Sequence, residues 1–378
     1  MSVDDTHTNL AAKPASGPGL PFPWDQWHKL ADSGLFSAVI DESVSAAERL
    51  RTSVRRFEKL GEGQGDPSLT FSAATHMAST LIPILRFGSP CLKQRHIADL
   101  AAGKIIGAHA ISEPGAGSDA LAMTTVAERQ GEFYVLNGNK AFVTNGPIAD
   151  VIVVYAKTRP GRSADSVSAF LVDSSSLGVR RGPPLEKAGL AGSPLGTLDL
   201  VNCRIHRNQM LGREGAGFMI LSHVMKHEIL YCFSAITGQM RKRIETTRHF
   251  ARQRRQFGQP IGAFQSVSNK IANMKINYEL SRNWLHATTT KLGAGKDVTM
   301  EIAIAKVFVS ESSLKSAIDA MDIHGGHGFL SASGLGNEVC DALASTTYSG
   351  TNDIQRGRIA ALLGLQPTPI HKQGSAHA

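Results

Sequence analysis

His109-Ala110-Ile111-Ser112-Glu113-Pro114-Gly115-Ala116-Gly117-Ser118-Asp119 joins a short apolar run to a loop of small and acidic residues. Gly115 and Gly117 let the backbone come close to a ligand, although any four of these loop residues would read as ordinary polar chain. What flanks the stretch decides the fold. Upstream, over about 21–104, the segments 41–60 and 68–86 space apolar residues three and four apart, which predicts a helical domain. Downstream, over 105–214, the pattern changes to short β-rich runs at 133–136, 151–156, 168–172 and 197–201, with Asn137-Gly138 and Asn145-Gly146 as turn signals. No helices alternate with these strands, so a doubly wound parallel sheet is not expected.

The remainder, 215–365, carries long helical patterns at 218–255, 264–292, 298–324 and 352–363, separated by the breakers Gly258, Pro260 and Gly262, then 293–295, then 325–328. These predict a C-terminal antiparallel four-helix bundle. The fold class is therefore α+β: an N-terminal helical domain, a middle β-domain and the bundle. Segments 1–20 and 366–378 hold little apolar content and are expected to be a disordered leader and tail.

With 378 residues, 42% of them hydrophobic and 19% charged, the chain can bury a core. Its apolar runs fall far short of the roughly 20 residues that cross a bilayer, so no membrane partner is expected. The leader lacks a basic start and an apolar stretch, and a cytoplasmic location follows as the expectation. Cys91, Cys203, Cys232 and Cys340 stand far apart without ligand spacing, which predicts buried thiols and no metal site. The net charge of +8 favours an anionic partner. Nucleic acid is not expected, because the basic residues cluster only at 241–243 and 252–255 and no nucleic-acid motif is present.

The opening stretch closely resembles the signature of the acyl-CoA dehydrogenase family, in which a SEPGAGSD run crosses a flavin. Further matches follow in order: Asn137-Gly138-Asn139-Lys140, Phe142-Val143-Thr144-Asn145-Gly146, Leu211-Gly212 with Gly215-Ala216-Gly217-Phe218, 254–258 with Gln265, 324–328 and 348–356. The resemblance covers roughly 21–365 and implies FAD as cofactor. A flavin ring needs donors at its edge and a flat apolar cover, and the protein supplies orientation and electrostatics. Ser112 and Thr144 match the donors and Phe142 the cover. His109, Ile111 and Gly117 belong to the same cofactor run, and Ser118 matches a pyrophosphate contact. Arg254 and Phe257 match residues that the family lends to a neighbouring subunit's FAD, which implies a homo-oligomer, dimer or tetramer. Gln265, Asp322, Gly325, Gly326, Thr351 and Asp353 match further cofactor positions, and Ser118, Ser349 and Gly350 match positions beside the substrate.

The family removes an α-proton with a glutamate while a β-hydride passes to the flavin, and most members place that glutamate just before the Gly-Thr of the last motif. Here Ser349 stands there, and serine cannot serve as a carboxylate base. A subgroup that includes isovaleryl-CoA dehydrogenase carries its base on the first bundle helix instead. Counting back 29 residues from Phe257 in that register reaches Glu228, at helical spacing from Leu221, Met225, Cys232 and Ala235. Glu228 is the expected catalytic base. His109, His227, His324 and His327 read as packed or hydrogen-bonding histidines.

Several positions depart from the family. Ile229 replaces an arginine that helps hold the substrate's carrier portion, while Asp322 and Asp353 replace glutamines near the FAD phosphates or adenine. Asp353 is expected to favour the start of the last helix and to find an arginine partner. The first helix and a PxxxGG loop of the N-terminal domain are missing, so that domain is expected to be shortened. The resemblance implies oxidation of a short or branched acyl thioester, carried by CoA or by an acidic acyl-carrier protein, with electrons leaving through an electron-transfer flavoprotein. A flavin monooxygenase or oxidase of the same fold and a non-catalytic flavin-binding homologue are the competing readings.

Overall fold

Three helices of the first part begin at side-chain caps that the sequence offers. A computed structural model describes residues 22–63 and 65–365; the expected leader and tail lie outside the described residues. α1 (Trp24–Asp32) leads to α2 (Ala46–Glu62), where the Ser45 hydroxyl accepts from the Glu48 amide at 3.2 Å. Asp66 caps α3 (Pro67–His76) and Ser89 caps α5 (Pro90–Ala101), each with proline at the first turn, where its missing N–H costs nothing. Between α3 and α4 (Ile82–Phe87) the chain widens into one π-helical turn, Met77–Leu81. Such turns rotate the residues that follow them and recur at functional sites.

The middle part forms an eight-stranded sheet. Its strands are β1 (Gly107–Ala110), β2 (Val126–Gln130), β3 (Phe133–Thr144), β4 (Val151–Lys157), β5 (Val167–Asp173), β6 (Val179–Arg181), β7 (Leu195–His206) and β8 (Met210–Leu211). The order is β6-β7-β3-β2-β4-β5-β8, with β1 added in parallel on β4. β4 and β5 pair in unbroken antiparallel register from Val151↔Asp173 to Lys157↔Val167. One sheet face packs in a cluster with Ala108, Ala110, Ile152 and Val154, and the other face, with Val151, Val153 and Tyr155, joins the large core shared with the helices.

Asn137-Gly138 is not a turn. Both residues lie inside β3, where the register against β7 shifts between Leu136 and Gly138. Gly138 has φ 152°, and a Cβ there would sit 2.7 Å from Thr125 Cα, so the glycine marks a bulge pressed against its neighbour. Asn145-Gly146 does turn the chain, with Asn145 at φ 63°.

The third part holds α6 (Gly217–Gln253), a two-strand hairpin of β9 (Arg255–Gln256) and β10 (Gln259–Pro260), α7 (Gln265–Gly293) and α8 (Thr299–His324). A short α9 (Gly326–Phe329) and α10 (Leu335–Ala344) precede α11 (Asn352–Leu362). The segment of α10 was missing from the four-helix expectation: ten residues between glycine-rich breakers are too few to announce a period. The expectation of four buried thiols is corrected as well. Cys203 and Cys232 are buried, Cys340 is half-buried, and Cys91 on the second residue of α5 is exposed. Among the described residues no helix is long and apolar enough to cross a membrane.

Candidate active site

Glu228 sits in the middle of α6, in a stretch from 228 to 238 that is buried on every side. Its carboxylate is held from two other elements. Ser79, on the π-helical turn, donates to Oε2 at 2.9 Å, and Ser349 donates to Oε1. His109 on β1 brings Nε2 to 3.5 Å from Oε2. A carboxylate only 4% exposed is tolerable because hydroxyl donors replace the water it lost. Ser349, at φ 54°, owes its position to the turn before α11, where the Gln355 side chain donates to its carbonyl at 3.0 Å and Thr351 caps the helix.

The strand that carries His109 runs directly into the glycine loop. Ala141 on β3 donates to the Ser112 carbonyl at 2.9 Å, which ties that loop to the bulged strand. Glu113 is the brace. Its carboxylate accepts from the amides and hydroxyls of Thr124 and Thr125 and from Lys140 Nζ at 2.9 Å, and Lys140 also donates to the Ile111 carbonyl at 3.0 Å. Burial alone would raise the Glu113 carboxyl, but Lys140 and the threonine donors outweigh it and bring it down to about 2. Both partners are almost fully enclosed, so removing one would strand the other's charge.

Around this brace the surface is open where a cofactor would lie. A Cβ built on Gly115 or Gly117 meets nothing within 4 Å. A second register shift, between Lys140 and Val143, turns Phe142 outward at φ 56° and leaves its ring 56% exposed. Ile111, Ser112 and Thr144 are half-buried beside it and Ser118 is exposed. An exposed aromatic ring beside a glycine loop with room around its backbone fits a flat cofactor with a phosphate tail.

Arg254, Phe257, Gln265, Asp322, Gly325 and Gly326 lie around the ends of α6, α7 and α8, while Thr351 and Asp353 stand at the start of α11, close in sequence to Ser349. Arg254 and Gln265 are exposed at the ends of α6 and α7, and Phe257, on the hairpin tip at φ 49°, is 93% exposed. Phe257 and Asp322 line one open groove of about 440 Å³ with Ile261, Phe264 and Val267. Gly325 and Gly326 follow at the end of α8 with free space around them. Asp322 pairs with Lys270 at 3.0 Å, and Asp353, in the first turn of α11, pairs with Arg356 at 3.6 Å. Among the described residues no hydrogen bond links these positions to Glu228 or to the glycine loop.

Sequence reasoning missed Ser79. The dense Ser and Thr content of the apolar 68–84 segment was the available signal, since buried hydroxyls require partners. His109 is among the expected cofactor positions, and its side chain faces Glu228.

Known proteins resemble this chain over most of its length. Residues 215–364 match the acyl-CoA dehydrogenase C-terminal domain, 108–203 the middle domain and 11–104 the N-terminal domain. An L-prolyl-[peptidyl-carrier protein] dehydrogenase from a Serratia species is 38% identical over 90% of this chain and 89% of its own length. The crystal structure of the prolyl acyl carrier protein oxidase AnaB superposes with a TM-score of 0.88 at 33% identity, covering 91% of this chain and 92% of that one. PigA, solved with FAD and proline, gives 0.81 at 34% identity over 90% and 96% of the two chains. The chain belongs to the acyl-CoA dehydrogenase family and is an FAD-dependent oxidoreductase that dehydrogenates an acyl thioester.

Proposed function

We propose that this enzyme oxidises a prolyl thioester presented by an acyl-carrier protein, with Glu228 removing the α-proton. The observation that carries the reading is the state of Glu228: a buried carboxylate whose two oxygens are held by Ser79 and Ser349. Ser349 occupies the family's usual base position and here serves the alternative base rather than replacing it. FAD, when bound, supplies the hydride acceptor for the β-carbon. The protein's residues do the rest. Ser79 and Ser349 fix the direction of the Glu228 lone pairs, while Phe142 would cover the flavin ring and Ser112 and Thr144 would offer donors to its edge. Gly117 and Ser118 leave room for the pyrophosphate, while the Glu113–Lys140 pair keeps the loop in place.

The carrier follows from charge. Ile229 is fully buried, so the position that is an arginine in CoA-holding relatives offers no cation. A chain of net charge +8 favours an acidic carrier domain by long-range attraction. The names of the Serratia relative and of AnaB point the same way. Electrons leave through an electron-transfer flavoprotein. Arg254, Phe257 and Gln265 complete the FAD site of a neighbouring copy in a dimer or tetramer.

The test is anaerobic mixing of the holoenzyme with prolyl-loaded carrier protein, prolyl-CoA and isovaleryl-CoA. Bleaching of the flavin should be fastest with the carrier-bound prolyl group, and added electron-transfer flavoprotein should restore the colour. Glu228→Gln should slow bleaching by about a hundredfold or more, the scale of a lost general base. Unchanged bleaching in that variant removes Glu228 as the base, and equal rates with prolyl-CoA remove the carrier.

A further inference from the structure

Beside Glu228 lie two buried polar atoms without a hydrogen-bond partner among the described residues, Nδ1 of His109 and the hydroxyl of Tyr155. Their placement follows from strand alternation. Ala108 and Ala110 point into the sheet's far core, so His109 between them points toward the helices. It stands in register with Val153, and Tyr155 follows two residues along β4 on the same face. Ser79 faces Glu228 from the π-helical turn, and Glu228 is the charged group that acts on His109. An apolar side chain would fill the His109 position without leaving a buried ring nitrogen unpaired, a loss of about 1–3 kcal/mol. The other ring nitrogen, Nε2, stands 3.5 Å from Glu228 Oε2.

We propose that His109 receives the substrate proton from Glu228, so that the base is a two-residue relay rather than one carboxylate. The proposal rests on Glu228 being the base. The Cα–H bond breaks, and its electron pair forms the new double bond as the β-hydride leaves. The proton bonds to Glu228 Oε2 and then passes to Nε2 of His109, which is neutral beforehand with its hydrogen on Nδ1. Glu228 becomes a carboxylate again and faces an imidazolium at 3.5 Å, so the charge created in the interior is compensated where it forms. Burial keeps the resting imidazole neutral, and the facing Glu228 carboxylate offsets part of the cost once the ring takes the proton. His109 acts through Glu228 and is a positioning residue in the reaction.

The experiment begins by choosing the probe. Prolyl-loaded carrier protein and isovaleryl-CoA are each mixed with oxidised holoenzyme, and the thioester that bleaches the flavin is taken forward. Failure of the prolyl reading shows at this step, and exchange is then measured with isovaleryl-CoA. If neither bleaches, the base assignment falls and the relay with it. The α-deuterated form of the chosen thioester is next incubated with holoenzyme whose flavin was reduced beforehand, which blocks hydride transfer and leaves only proton exchange. Wild type should replace the deuterium with solvent hydrogen. His109→Gln, and His109→Phe as a second variant, should slow that washout about tenfold or more per bound flavin, whereas Glu228→Gln should slow washout and bleaching together by about a hundredfold or more. Retention of deuterium by the wild type overturns the relay without any variant. Washout at the wild-type rate in either folded His109 variant overturns it too.

Discussion

At the scale of single residues, the centre of the molecule is a carboxylate whose surroundings were only partly legible. Glu228 could be reached by counting from the hairpin motif, because α6 runs without interruption from the site to Gln253 and preserves the register. Ser349 was legible as a departure from the family's usual glutamate, though not as a donor to Glu228. Ser79 was hidden: the π-helical turn Met77–Leu81 rotates it away from the place a regular helix would give it, and no 3.6-residue pattern encodes that turn. The two serines make a sharp prediction. Each hydroxyl donates to an ionised group, an interaction of about 1.5–3 kcal/mol, so Ser79→Ala and Ser349→Ala should each slow anaerobic flavin reduction about tenfold or more. The double variant should lose less than the product of the two, because a carboxylate released on one side already swings on the other. Flavin reduction at wild-type rate in both single variants would mean that Glu228 needs no such cradle.

Elements were legible in proportion to their length. α6, α7, α8 and α11 carry enough turns for a period to show, whereas β1, β6 and β8 are two to four residues long and have none to show. Gly138 misled because glycine reports only that a side chain is excluded, and a bulge against Thr125 excludes one as firmly as a turn does. The same reasoning explains how α6 is positioned. α2 crosses it backbone to backbone: a Cβ on Gly238 would lie 2.1 Å from the Glu58 carbonyl oxygen, and one on Gly61 would lie 1.9 Å from that of Ala235. Near that crossing, Glu58 accepts from His286 at 2.7 Å and from Arg282, so α7 is tied to α2 at the same level. Gly238 lies ten residues after Glu228, so any shift at the crossing moves the proposed base. Gly238→Ala should lower stability by about 3 kcal/mol, the upper end for overpacking, and slow flavin reduction as well. Calorimetry and stopped-flow on one preparation would check both. A variant that melts with wild type would show that the crossing is loose.

The whole molecule displays apolar surface that a single chain cannot use. Phe257 is 93% exposed and Phe329 is 81% exposed, while Ile276, Leu280 and Trp284 repeat every four residues along α7 and are all at least 38% exposed. That stripe faces away from its own core, and apolar stripes of this kind mark interaction surfaces. Phe257 was legible from its motif, but the stripe was not, because a sequence period does not say which of two apolar faces points outward. The proposed assembly assigns different work to the two features: the α7 stripe holds copies together, and the hairpin tip reaches a neighbour's FAD. They should therefore separate by mutation. Ile276→Lys with Leu280→Lys should sediment as a monomer and bind FAD more weakly, since each copy then lacks the residues its neighbour lends. Phe257→Ala should keep the wild-type sedimentation coefficient and still bind FAD about tenfold more weakly, the loss expected for about 1.4 kcal/mol of ring contact. Wild-type protein that sediments as a monomer while fully loaded with flavin would end the shared-site reading, because every cofactor contact would then have to come from the glycine loop and Phe142 of the same chain.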